Sequence, residues 1–132
     1  MAEGLEVTAT FRGGFRADVE ARGHAVVVDE PAEHGGNDEG FMPTELFCAA
    51  LASCFCLAIG HVASKRGLDV PALRVTVRSH RAGRELRYER LVVECAAEVE
   101  DHVLETLIER ARPFCWVSNT LAGGVQVEYG RR

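Results

Sequence analysis

The chain has 132 residues, long enough for one hydrophobic core and too short for two, so a single domain over residues 1–132 is expected. Hydrophobic residues make up 47% and charged residues 27%, a balance ordinary for a soluble globular chain. The formal net charge of −5 offers no attraction to nucleic acid or to an anionic membrane surface.

The chain opens with MAEGLEVTATF, which lacks the basic flank and apolar core of a secretory leader. Within it LEVTATF (5–11) alternates apolar and polar side chains, and Gly13-Gly14 supply a turn. FRADVEA (15–21) alternates again, Arg22-Gly23 turn the chain, and HAVVVDE (24–30) forms a third strand. Tight turns between short strands predict an antiparallel meander. Pro31 ends the ladder, and PAEHGGNDEGFM (31–42) reads as a loop of functional length.

Pro43-Thr44-Glu45 predicts a helix entry, with proline in the first turn and an acid beside the positive helix end. The helix should run to about Arg66, where Gly67 stops it. From Leu46 to Ile59 it is apolar all round, which predicts burial on every side. That run is shorter than the roughly 20 residues of a membrane span, so a cytoplasmic protein without a membrane partner is expected. A chain this short has few elements with which to wrap such a helix, so a dimer with the helix at or near the interface follows. His61, near the end of the helix, is expected to cap carbonyls or meet the dipole.

Two further strands follow, LRVTVRSH (73–80) and RYERLVVECAAEVE (87–100). DHVLETLIERAR (101–112) is an amphipathic helix, ended by Pro113. FCWVSNTLAGG then leads to a last strand, VQVEY (125–129). The order βββ-α-ββ-α-β is an α+β layout.

The cysteines carry the chemical question. Five is an odd number, and a reducing compartment argues against a disulfide framework. Cys54-x-Cys56 does not have zinc-knuckle spacing, and Cys95 and Cys115 each stand alone, so no metal is expected. The histidines form no ligand spacing, and the Gly-Gly pairs do not fit a phosphate loop. On a helix Cys54 and Cys56 point about 200° apart, and Cys48 lies about 240° from Cys54. At most one of these three faces a given pocket, and the others fill space. Cys54 itself reads either as a core residue or as a reactive thiol. Cys95, in an alternating strand, reads as structural.

DEPAEHGGNDEGFMPTELFCAALASCF (29–55), followed by FCWVSNTL (114–121), resembles the OsmC/Ohr family of osmotically inducible protein C relatives and organic hydroperoxide resistance proteins. The strand and helix order extends the resemblance over most of the chain. It implies an intertwined homodimer with antiparallel sheets around a long buried central helix. It also implies a cysteine-based peroxidase that uses no cofactor, with Cys54 attacking an organic hydroperoxide and Cys115 resolving the sulfenic acid to a disulfide. A lipoyl-type dithiol would then reduce that disulfide. An arginine of the first hairpin, Arg12 or Arg16, would lower the thiol pKa, held by a glutamate at the helix start. Thr44 stands where the peroxidase branch carries that glutamate, and Glu45 lies one residue later. Trp116 replaces a common proline, either as a wall over the thiols or as a core anchor. The altered Arg/Glu arrangement motivates an alternative, a non-enzymatic homodimer that binds a small apolar ligand at its interface.

Overall fold

The computed structural model describes residues 4–132; Met1–Glu3, part of the stretch read above for a leader, lie outside the described residues. The chain is mixed α+β, with two antiparallel sheets and one long helix. It divides into two compact units, the first ending at Phe47 and the second spanning Cys48–Arg132.

In the first unit β1 (Thr8–Gly13), β2 (Arg16–Ala21) and β3 (His24–Val28) form the expected meander in the order β1-β2-β3. The β1–β2 register shifts between Phe11 and Gly13, so Arg12 sits at a bulge, a device that re-aims a side chain. After β3 the loop folds back on itself around Asp29, whose side chain is nearly sealed from solvent at 1% exposure. The Asp29 carboxylate accepts the backbone N–H groups of Glu30, Asn37 and Glu39 at 2.8, 3.3 and 3.2 Å. A charged acceptor with three donors can be buried without a cationic partner. Backbone crowding makes two glycines obligatory here. A Cβ on Gly36 would strike the Glu30 carbonyl, and one on Gly40 would strike that of Val27.

Helix α1 (Pro43–Lys65) begins where Pro43 predicts, and Glu45 accepts the Met42 N–H at 2.8 Å, satisfying a donor at the helix start. Its 23 residues are long and apolar enough to cross a membrane by length and composition, whereas the expectation above counted the apolar run alone. One side of it is core: Leu51, Phe55, Ala58, Ile59, Val62 and Ala63 are buried. The expectation of burial on all sides fails within one chain, because Ser53, Gly60 and Leu57 are exposed, Leu57 at 75%.

In the second unit β4 (Arg74–Arg81) and β5 (Tyr88–Ala96) pair antiparallel, with Val75 opposite Cys95 and Val77 opposite Val93. Alternation turns Val75, Val77, Leu91 and Cys95 onto the α1 core cluster, while Arg78 and Glu94 pair outside. Helix α2 (Asp101–Ala111) adds Leu107 and Ala111 to that cluster. A 3₁₀ turn (Arg112–Phe114) and helix α3 (Trp116–Gly123) follow, where the sequence pattern offers only a connection. Residues 125–129 differ from the expectation too. They form no strand, and Val125, Val127 and Tyr129 lie exposed without a ladder partner among the described residues. The strand predicted for 87–100 stops at Ala96.

Candidate thiol site

Cys54 and Cys115 come from different elements, and the fold of the second unit brings them together. Cys54 lies mid-way along α1, half-buried and packed against the core cluster. Cys115 is a member of that cluster and has 0% exposure. It occupies the junction between the 3₁₀ turn and α3, with extended dihedrals (φ −91°, ψ 101°) that make it the N-cap residue. Its N–H donates to the Arg112 carbonyl at 3.3 Å, and its carbonyl accepts the Asn119 N–H at 3.0 Å and the Ser118 hydroxyl at 3.2 Å. Asn119 ties the same corner down by donating its side-chain amide to the Pro113 carbonyl at 3.0 Å.

The Cys115 sulfur makes no capping hydrogen bond of full geometry, but it sits in a polar niche. Burial opposes ionisation there. The Ser118 hydroxyl and amide, the Cys54 thiol and the Val117 amide outweigh that penalty and hold the Cys115 thiol below the ordinary cysteine value. Cys95 shows the opposite balance, since burial, with Cys56 nearby, pushes its thiol up and keeps it protonated. All five cysteines are free thiols.

A cavity of about 730 Å³ lies beside this corner. Leu51, Phe55, Val93 and Ile108 give it an apolar wall. Ser118, Asn119 and the Glu109–Arg112 ion pair (3.3 Å) supply the polar groups. Among the described residues no group of three or more His, Cys, Asp or Glu side chains has the arrangement of a metal site.

The other candidates belong to the first unit. Arg12 donates to Asp18 at 2.9 Å, and Arg16 reaches Asp18 at 3.1 Å and Glu39 at 3.5 Å. The Arg12 guanidinium, aided by Arg16, holds the Asp18 carboxyl below its usual range. Glu45 is engaged with the Met42 amide. Trp116 is 65% exposed, so it is no core anchor within one chain. His61 meets the Phe114 ring edge-on, with centroids 5.3 Å apart. Sequence reasoning missed Ser118 and Asp29. A serine three residues after the cysteine was the available signal for the first, and an acid at the strand end for the second.

The family model described as OsmC-like protein matches residues 35–130. Among solved structures, an OsmC-like protein from Mycoplasma pneumoniae superposes with a TM-score of 0.76 at 18% identity, covering 93% of this chain and 90% of that one. An organic hydroperoxide resistance protein from Elizabethkingia anophelis gives a TM-score of 0.69 at 27% identity, covering 93% and 91%. An uncharacterized protein of Methanocaldococcus jannaschii is 22% identical over 124 residues, 91% of this chain, and the chain spans 64% of that relative's length.

Proposed function

The chain belongs to the OsmC-like family, and from that premise we propose that it is a thiol-dependent peroxidase that reduces organic hydroperoxides. The observation that carries the reading is that Cys54 packs against the core cluster containing the buried Cys115, whose thiol is held below the ordinary cysteine value in spite of its burial. A half-buried thiol can receive a substrate, and a sealed neighbour can condense with the sulfenic acid before further oxidation. The Cys54 thiolate attacks the terminal peroxide oxygen, the O–O bond breaks and the alkoxide leaves as the alcohol after taking a proton; the Cys115 thiol then attacks the sulfenic sulfur, forming the disulfide and releasing water. Arg12 and Glu45 enter this reading only as the cation and the carboxylate that the family resemblance implies for the reaction. A lipoyl-type dithiol returns the pair to the reduced form. The likeness to an organic hydroperoxide resistance protein supports the choice of substrate class.

The active form is a homodimer in the cytoplasm. The uncovered apolar side of α1, with Leu57 at its centre, supports the dimer. Free thiols throughout suit a reducing compartment.

Reduced protein treated with cumene hydroperoxide should lose two thiols per chain, and peptide mapping should find a Cys54–Cys115 disulfide. An unchanged thiol count, or equal hydroperoxide loss in Cys54→Ser, overturns the reading. The apolar wall of the cavity favours a second reading, a binder of small apolar ligands. In that case a hydrophobic probe binds the Cys54→Ser, Cys115→Ser double variant as tightly as the parent, and hydroperoxide is not consumed.

A further inference from the structure

We propose that the pocket shared by the C-terminal ends of α1 and α2 binds a small amphipathic anion, an apolar body ending in a carboxylate, with Lys65, Arg66 and Arg110 around the anionic end and Phe114 against the body. The inference does not depend on the peroxidase reading.

The pocket, about 450 Å³, lies within the second unit and has the size of small-molecule sites, which run from about 300 to 1,000 Å³. At about 1.5 Å of rise per residue, Lys65 stands about 16 Å along α1 from Cys54, so the cations are remote from that thiol. The wall is apolar. Val62 of α1 is buried, and Pro113 and Phe114 come from the 3₁₀ turn. The Phe114 ring is 55% exposed, yet it is held in place, because His61 meets it edge-on. The turn that carries it is tied down by the Cys115 N–H, which donates to the Arg112 carbonyl at 3.3 Å. The Asn119 amide adds its bond to the Pro113 carbonyl at 3.0 Å. An aromatic face fixed before a ligand arrives costs little further ordering on binding.

Charge decides what kind of ligand suits this wall. The chain carries a net charge of −5, yet Lys65, Arg66 and Arg110 converge on this one pocket. None of the three makes an ion pair among the described residues. The acid that lines the pocket, Glu109, is paired with Arg112 at 3.3 Å. Lys65 and Arg110 stand in the last turns of their helices, where a cation also meets the negative end of the helix dipole. That role absorbs only part of the charge. The two helix ends together amount to about one negative charge, which leaves about two positive charges unmatched beside the apolar wall. An inorganic anion would meet the charge and leave the wall idle, and a neutral apolar molecule would do the reverse. An amphipathic carboxylate engages both, and the guanidinium fork of Arg66 or Arg110 matches its two oxygens.

The test is octanoate binding to the full chain, read by amide NMR and calorimetry, with 1-octanol, acetate and inorganic phosphate as comparison probes. Octanoate should shift the amides of residues 61–66, Arg110 and Phe114. It should bind roughly tenfold more tightly than any of the other three, because each of them lacks one half of the interaction. Lys65→Gln and Arg66→Gln should each weaken octanoate roughly tenfold, the effect of losing one hydrogen bond to a charge. Both should leave 1-octanol binding unchanged. In the unmodified protein, 1-octanol binding as tightly as octanoate overturns the inference, since the cations then have no role. Acetate or phosphate binding as tightly as octanoate overturns it too, since Phe114 then has none. Shifts centred on Leu51 and Val93 place the ligand in the other cavity and overturn it, as does unchanged octanoate affinity in folded Lys65→Gln and Arg66→Gln. Absence of octanoate binding also overturns it, and a loss of self-association in Arg66→Gln would then assign the cations to a contact between copies of the chain. Octanoate binding at this pocket in a protein that consumes no hydroperoxide supports the inference and overturns the peroxidase reading instead.

Discussion

Single side chains decide the two most sharply defined corners of this molecule. Asp29 gathers three amides from a loop that has no periodicity of its own. Asp29→Ala should cost about 3 kcal/mol of stability, because it strands buried donors, whereas Asp29→Asn keeps one acceptor and should cost less. Urea denaturation midpoints check this, and an unchanged midpoint for the alanine variant contradicts it. Asp18 makes a different prediction. Arg12 first, and Arg16 beside it, depress its folded pKa, so its contribution is present above the unfolded value of about 3.8 and is lost as pH falls below it. Melting temperature followed from neutral pH to pH 2 should therefore fall on an acid limb that is flatter in Asp18→Asn. A limb of equal steepness in both proteins removes the assigned role. Asp29 was hard to foresee because its partners lie up to ten residues onward, beyond any local pattern.

Elements were more legible than residues. Alternation located β1 to β5, since one face of each antiparallel pair is apolar. Pro43 and Gly67 bracketed α1, and Val103, Leu104 and Leu107 marked α2. Helix α3 was illegible because WVSNTLAG mixes β-branched and capping residues with no helical stripe, and it forms where Cys115 and Asn119 close its first turn. VQVEY has a strand pattern without a ladder, so periodicity alone overstated it. Motif context singled out Cys54 and Cys115 but not Ser118, whose hydrogen bond to the Cys115 carbonyl depends on the cap conformation of Cys115. On α1 the uncovered face permits a direct test. Leu57→Glu should leave the secondary structure and the buried side of the helix intact while converting a dimer to a monomer in analytical ultracentrifugation. Unchanged sedimentation means that this face is not the contact.

For the molecule as a whole, the features left unfinished in one chain are consistent with each other. The bare side of α1 and the unpaired 125–129 segment both present apolar surface that a second copy could cover. The sealed position of Cys115 also constrains what can approach from outside. On the peroxidase reading proposed above, an incoming thiol would have access only to the Cys54 half of a Cys54–Cys115 disulfide. The sulfur expelled would be the one whose anion the α3 corner already favours, and a more acidic thiol departs faster. Recycling should therefore be regioselective. A monothiol, unable to complete the exchange, should be trapped as a mixed disulfide on Cys54, as read by mass spectrometry of the quenched peptides; an adduct on Cys115 would contradict this. In the proposed cycle, the burial that would shield one sulfur from peroxide would also dictate the direction from which electrons return.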